Sequence, residues 1–501
     1  MVLKYLKNSS RLYIYKMKLN LIYSQSIDGI MGVNNDLYCK IKSDLKMFQK
    51  ITTTQLNNKP NVIIMGYNTW LSIGKVLNDR INIVISKDHY EEMKKEKVLC
   101  YNSLESCFEY LKEIQYGKIF IIGGAFLLNQ TISQYFDSID LIYQTQIIEE
   151  VNKSLISTQD ITYLKIPLLK YEIERTIINL NGIEKKEKGL LFDFEKKEYI
   201  SKEINYCENI YQKRENVNFQ EFKYLRLLTH ILKNGTEKES RNGIVYSDFG
   251  IRMDFDLREG FPLLTTKKMP WRTVLRELLW FIKGSTSNTE LQEKNVHIWD
   301  ANASKEFLQT RGLSYEEGDL GPIYGFQWRH FGAEYKEHQT DYQGQGIDQL
   351  QWIINEIKTN PTSRRLIMNA WNPVDIDKMA LPPCHIMVQF NIEKEFIDAQ
   401  LYQRSGDMFL GVPFNISSYA FLLHIVGKLT GYIPRKFIHI IGDAHIYENH
   451  IDAVNEQLLR IPCKSPTLEI KDIQNIDSIK ETDFEIKDYD FYPTIKAPMS
   501  A

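Results

Sequence analysis

The sequence predicts two domains in series: an α/β domain built on a doubly wound, mostly parallel sheet, then a second domain of different make-up. Three observations carry this expectation. A chain of 501 residues exceeds what one hydrophobic core organises. In the N-terminal third, short β-rich runs alternate with amphipathic stretches, the pattern of parallel strands joined by crossover helices. Beyond Phe219, Trp and Arg become frequent, and helical patterns alternate with irregular segments.

Taken in order, strands are predicted over 19–24, 62–65, 81–86, 118–122 and 141–146, with helices over 43–51, 103–114 and 126–133. Two later runs, 171–179 and 190–195, flank the turn signal Asn181-Gly182 and read as a closing hairpin. The stretch 198–218 is polar and charged without strong periodicity, and reads as a short packed junction. Helices over 221–233 and 274–282 follow. The expected division is an extension (1–16), a first domain (17–197), the junction (198–218) and a second domain (219–501).

Composition is that of globular protein, 43% hydrophobic and 25% charged, and a net charge of −2 gives no reason to expect nucleic acid or an anionic membrane as partner. The six cysteines, Cys39, Cys100, Cys107, Cys207, Cys384 and Cys463, show no CxxC spacing. This argues against a disulfide scaffold or a metal site and for a reducing compartment. No apolar run has the length of a membrane span. Residues 1–16 carry Lys4, Lys7, Arg11 and Lys16 and no acid, a weak transit-peptide signal. The segment is short and without a cleavage pattern, so an extension ahead of the first strand is the preferred reading, with Met17 an alternative start and the cytoplasm the expected location.

Chemistry concentrates in the second domain. Pro382-Pro383-Cys384-His385 holds a cysteine between rigid prolines and a histidine, with Arg404-Ser405-Gly406-Asp407 close behind. A buried, inert thiol is the commoner state of a lone cysteine, but a neighbouring guanidinium favours the nucleophilic thiolate. Arg241, Arg364, Arg365 and Arg404 fall in loop-like contexts and suit bidentate phosphate binding. For Arg364-Arg365 taken alone, a solvated surface pair is the better reading. Asn415 offers an amide that both donates and accepts, as reading a pyrimidine edge requires. His445 and Tyr447, two apart, share one side of a strand.

The second half resembles thymidylate synthase over its full length. The resemblance rests on Phe261-Pro262-Leu263-Leu264-Thr265-Thr266-Lys267-Lys268, on Glu277-Leu278-Leu279-Trp280-Phe281-Ile282, on Ile298-Trp299-Asp300-Ala301-Asn302, and on Gly321-Pro322-Ile323-Tyr324-Gly325-Phe326-Gln327-Trp328-Arg329-His330. The Cys384 and Arg404 motifs, 443–447 and Pro493-Thr494-Ile495-Lys496 complete it. It implies an α+β domain in which Cys384 attacks carbon 6 of dUMP, and 5,10-methylenetetrahydrofolate supplies both the carbon and the hydride. Glu277 and Tyr324 are implied in the proton transfers. On dUMP it implies Arg241, Arg364, Arg365, Arg404 and Ser405 at the phosphate, Asn415 at the uracil edge, His445 and Tyr447 at the ribose, and His385, Gln403 and Asp407 as further contacts. Trp299, Asn302, Asp407 and the Ala501 carboxylate are implied on the folate side, with the C-terminal tail closing over the ligands. A homodimer that exchanges Arg364-Arg365 is implied too. Asn242 stands where a threonine is usual, and Phe409 where a small residue is; the latter is expected to tighten the folate pocket.

The first domain resembles dihydrofolate reductase, carried by Asp28-Gly29-Ile30-Met31-Gly32, Ser43-Asp44-Leu45-Lys46-Met47-Phe48, Ile63-Ile64-Met65-Gly66 with Thr69-Trp70, Arg80, and Ile121-Ile122-Gly123-Gly124. The resemblance implies Asp44 as the acid at the pterin, with Leu37, Phe48, Arg80 and Thr145 around the folate. NADPH is implied against Ser24, Gly32, Gly66, Thr69, Ser86, Lys87, Gly123, Gly124 and Ala125. Glycines ahead of a helix allow close approach to a pyrophosphate.

Tyr38-Cys39 replaces a Pro-Trp pair, Tyr67 an arginine that meets the extra phosphate of NADPH, and Leu128 a tyrosine, while the usual Asp-Thr-x-Phe-Pro segment is not recognisable after Glu150. A lost arginine–phosphate contact costs about 1.5–3 kcal/mol, with Lys87 the available substitute. Two readings follow: a bifunctional enzyme, or an active synthase whose first domain is a structural module. Retention of Asp44, Phe48, Thr69, Arg80 and Gly123-Gly124 favours the first.

Overall fold

The computed structural model describes residues 17–93, 98–148, 161–164, 175–177, 185–213, 216–240 and 242–498. The chain forms two compact units, Met1–Val217 and Asn218–Ala501.

The first unit is a mixed, mostly parallel sheet. Its parallel strands run, across the sheet, Ile139–Ile147, Leu19–Ser26, Ile119–Gly123, Asn61–Gly66, Arg80–Ile85 and Leu99–Tyr101. Covered on both faces, these strands are continuous apolar runs (Val62, Ile63, Ile64 and Met65 have no exposure), as a parallel sheet between helices demands. The helices Lys42–Thr53, Leu104–Leu111 and Ala125–Tyr135 lie at the predicted places.

The predicted junction is corrected. Glu198–Lys213 is a strand, antiparallel to Ile139–Ile147 on one side and to Lys185–Asp193 on the other. Ile204 and Tyr206 are buried, but Lys202 and Glu208 fall on the same side of the strand and interrupt the apolar alternation. The closing hairpin is therefore Lys185–Asp193 with Glu198–Lys213, turned at residues 194–197 where Asp193 Oδ1 accepts the N–H of Glu195 and Lys196. Of the predicted run 171–179, only Arg175–Ile177 is described, and it pairs with Glu198–Lys213; the rest lies outside the described residues, as do residues 1–16.

The second unit is built on a six-stranded mixed sheet in the order Thr236–Ser240, Gly243–Asp256, Ile433–Tyr447, Phe396–Asp407, His385–Glu393, Ile367–Asn369. Phe396–Asp407 and Ile433–Tyr447 are parallel, joined through the long helix Gly411–Thr430. That helix is apolar around most of its circumference, which suits one buried within the domain. Helices Phe219–Asn234, Trp271–Lys283, Tyr324–His330 and Gln349–Thr359 complete the core. The carboxyl of the fully buried Glu221 accepts backbone and hydroxyl hydrogens from both Thr265 and Thr266 and an amide hydrogen from Asn218, so five donors offset the cost of burying it.

Candidate active sites

In the second unit the loop Leu381-Pro382-Pro383-Cys384 leads straight into the strand His385–Glu393, beside the end of Phe396–Asp407. Arg404 holds this loop: its Nε donates to Pro383 O (2.9 Å) and Nη2 to Pro382 O (3.1 Å), and its backbone N–H donates to Cys384 O (2.8 Å). The same Nη2 stands 3.7 Å from Cys384 Sγ, a cation beside the sulfur. The cysteine opens onto a cavity of about 590 Å³ lined also by Arg404, Ser405, Asp407, Asn302, His445 and Tyr447.

Buried polar side chains surround the cysteine. The Tyr324 hydroxyl accepts the Cys384 backbone N–H at 2.7 Å, and its ring stacks on His385 at 4.2 Å. Gly325 makes this possible, since a Cβ there would lie 2.7 Å from Phe281 O. Burial raises the Tyr324 phenol and depresses His385 to about 3, so a neutral imidazole meets the Tyr419 hydroxyl through Nδ1 at 2.9 Å. Trp299 Nε1 donates to Glu277 Oε1 (2.8 Å); burial pushes that carboxyl up to about 7 against the opposing effect of the indole. A carboxyl poised there gives and takes protons at neutral pH. Gln403 is fixed by His439 (Nε2 to Oε1, 2.9 Å) and donates to Ser405 O. Burial pushes the Asp407 carboxyl up, but the nearby His450 and the N–H groups of Leu410 and Phe409 outweigh it and leave the carboxyl below its ordinary value.

Not every predicted residue joins the pocket. Asn415 is the fifth residue of Gly411–Thr430 and is not part of the cavity lining. Arg364 and Arg365 are exposed and do not line it. Arg241 and Ala501 lie outside the described residues. Phe409 is corrected: it is fully buried under Lys267, whose Nζ is 3.7 Å from the ring centre, and lies outside the lining of the cavity. Sequence reading missed Arg311, a lining residue that nothing in the chain distinguishes from a solvated arginine, and the partners Tyr419, His439 and His450, which only the folded contacts reveal.

In the first unit, Asp44 lies in the first turn of Lys42–Thr53 and accepts the Thr145 hydroxyl at Oδ1 (2.5 Å). Thr145 is paired with Ser24 across adjacent strands. Burial raises the Asp44 carboxyl to about 6, assisted by Glu208 and Glu187 and opposed by Thr145 and Lys185. Phe48 follows one turn later, half-buried, and Leu37 lies on the short strand Asp36–Leu37. Arg80 donates to Thr52 Oγ1 and Asn78 O, aligned by the same helix.

The glycines form a cradle. Cβ atoms on Gly123 or Gly124 would each lie 3.4 Å from Thr69 Oγ1, and one on Gly66 would lie 3.6 Å from Gly124 N. Gly124 caps the helix beginning at Ala125. On Gly32 a Cβ would meet Asp36 O at 2.8 Å, so that glycine serves a tight β-turn approach. The N-terminus of Ala125–Tyr135, which has no side-chain cap, offers backbone N–H groups that suit a pyrophosphate. Ser86 instead accepts the His89 N–H, and Lys87 is exposed. Tyr67 stacks on His89, centroids 3.8 Å apart and 7° from parallel. Tyr38 and Cys39 are buried in a second core with Phe192 and Tyr206, and Leu128 is buried in the first.

These geometries agree with sequence comparison. The thymidylate synthase family profile matches residues 222–501, and the dihydrofolate reductase profile matches 18–161. The fold and the cysteine pocket thus define a thymidylate synthase domain preceded by a dihydrofolate reductase domain. The bifunctional dihydrofolate reductase-thymidylate synthase of Zea mays is 40% identical over 94% of this chain and 95% of its own length. The protein of the same name from Paramecium tetraurelia is 38% identical over 96% and 98%, and that from Plasmodium berghei 37% over 97% and 92%. The chain belongs to the bifunctional dihydrofolate reductase-thymidylate synthase family.

Proposed function

We propose that Cys384 is the nucleophile that adds to carbon 6 of dUMP, with 5,10-methylenetetrahydrofolate as one-carbon donor and reductant. The chain is a thymidylate synthase and a dihydrofolate reductase: dUMP becomes dTMP, and the dihydrofolate released is reduced to tetrahydrofolate. The observation that carries the synthase reading is Arg404 Nη2 beside Cys384 Sγ at the wall of a polar cavity. Attack makes an enolate; Glu277, with its carboxyl near neutrality and anchored by Trp299, and Tyr324 move protons around the base. Arg404, Ser405 and Arg241 hold the phosphate, Asn415 with Gln403 and His385 selects uracil, and His445 and Tyr447 hold the ribose. Asn302, Trp299, Asp407 and the Ala501 carboxylate receive the folate.

In the reductase domain Asp44, held by Thr145, binds the pterin and favours its protonation. Leu37, Phe48 and Arg80 enclose the rest of dihydrofolate. The glycine cradle of Gly66, Gly123 and Gly124, with Thr69 and Ala125, receives NADPH, helped by Ser24, Gly32, Ser86 and Lys87. NADPH supplies the hydride when bound. The exposed Arg364-Arg365 pair supports a homodimer in which each chain completes its neighbour's phosphate site. No helix among the described residues is long and apolar enough to cross a membrane, and we place the enzyme in the cytoplasm.

The test is two assays on one preparation: dTMP formation, and oxidation of NADPH or NADH with dihydrofolate. Both activities are expected, and Cys384→Ser is expected to abolish the first while sparing the second. Absence of reductase turnover while dUMP is methylated would leave the first domain a structural module.

A further inference from the structure

His450 is a fully buried imidazole on the short turn Glu448–His450 that follows the strand Ile433–Tyr447. Its two nitrogens face different parts of the chain. Nε2 stands 2.8 Å from Pro498 O, and a carbonyl only accepts, so this nitrogen carries the hydrogen. Nδ1 stands 3.7 Å from Asp407 Oδ1, an ion-pair distance too long for a hydrogen bond. Asp407 lines the Cys384 cavity, and its Oδ1 also accepts the N–H groups of Phe409 and Leu410 at 2.9 and 3.1 Å. The ring itself is fixed by Tyr447 (centroids 5.4 Å apart, 71°) and Phe409 (5.6 Å). One side chain therefore bridges a wall of the cavity and the C-terminal tail.

We infer that His450 is a positioning residue for the synthase reaction: it seats the tail at Pro498 in register with Asp407. This rests on the reading that the tail closes over the folate. The carboxylate and the tail carbonyl then move as one unit, so that seating the tail and presenting Asp407 to the folate side are coupled. The hydrogen bond to Pro498 already seats the tail in this structure, so His450 holds it in place for the folate side. dUMP contacts that are complete without the tail are independent of it.

The test uses the full-length enzyme in two variants and one truncation. His450→Phe keeps the ring and deletes the donor; His450→Gln keeps an N–H of similar reach. For His450→Phe, kcat/KM for methylenetetrahydrofolate at saturating dUMP is expected to fall about tenfold, the worth of one buried hydrogen bond. The dUMP dissociation constant is expected to stay within about twofold. His450→Gln is expected to recover most of the loss. In the complex with dUMP and a non-reacting folate analogue, carboxypeptidase release of the terminal residue is expected to be faster from His450→Phe than from wild type. A chain ending at Pro498 separates the two ideas. If the truncation abolishes turnover while His450→Phe is unchanged, the positioning role is overturned and tail closure stands. If the truncation turns over normally, tail closure fails and the inference with it. Equal losses in dUMP and folate affinity without rescue by Gln would reduce His450 to a packing residue.

Discussion

Thr145 donates its hydroxyl to Asp44 Oδ1 at 2.5 Å, tying the helix Lys42–Thr53 to the strand Ile139–Ile147. This bond favours the ionised carboxyl, yet burial wins and the group titrates at about 6 against an ordinary 3.8. The folded state therefore binds its proton more tightly than the unfolded chain. Stability contributed by this group is full below the unfolded value and is lost as pH rises through about 6. Asp44→Asn removes that penalty and is expected to raise stability at pH 7 by up to about 3 kcal/mol, seen as a higher melting temperature of the reductase transition. The same substitution is expected to lower dihydrofolate turnover by about 10²–10⁴. In wild type, kcat/KM for dihydrofolate is expected to decline as pH rises past about 6, and the variant to lose that inflection.

Phe409 is a structural residue, so its replacement reads out as stability. Its ring is fully buried beneath the Lys267 ammonium, and burial holds that lysine down to about 7. Phe409→Gly deletes a large core side chain and the aromatic face under the cation, at an expected cost of about 3–5 kcal/mol. A denaturant titration checks this. An unchanged midpoint with an altered folate affinity would return Phe409 to the pocket.

Tyr67 is expected to set the nicotinamide preference. Where the resemblance implies an arginine against the extra phosphate of NADPH, this chain has Tyr67 stacked on His89. Tyr67→Arg gives up a ring pair of about 0.5–1.5 kcal/mol in the unliganded enzyme and adds a charge-assisted contact of about 1.5–3 kcal/mol only in the NADPH complex. NADPH affinity is therefore expected to rise about tenfold or more, with NADH affinity unchanged. Equal changes for both dinucleotides would mean that Tyr67 does not face the phosphate.

Much of this was legible in the chain, for reasons that differ by region. The central strands were visible because both their faces are buried, leaving runs such as Val62-Ile63-Ile64-Met65 that admit few other readings. Glu198–Lys213 was not, because Lys202 and Glu208 share a side of the strand with the buried Ile204 and Tyr206 and break the apolar alternation. At the synthase site the reacting groups stood in long ordered motifs, whereas Tyr419, His439 and His450 act through contacts formed between distant elements. Phe409 failed differently: sequence placed it beside Asp407, but the backbone turn held by the Asp407 carboxylate sends its ring into the core.

Arg364 and Arg365 make the sharpest test of assembly. Both are exposed on the loop after the helix Gln349–Thr359, and neither lines the cavity of its own Cys384. If each serves the partner subunit, then a Cys384→Ser chain and an Arg364→Glu/Arg365→Glu chain are each inactive as synthases when alone. Coexpressed in equal amounts, half the dimers are mixed, and in each mixed dimer one site combines an intact cysteine with intact arginines. About a quarter of wild-type synthase activity is expected to return. Reductase activity is expected to persist in every combination and serves as the control for folding. Failure of the mixture to recover, with mixed dimers demonstrated by differently tagged chains, would mean that the arginines act within their own chain or not at all.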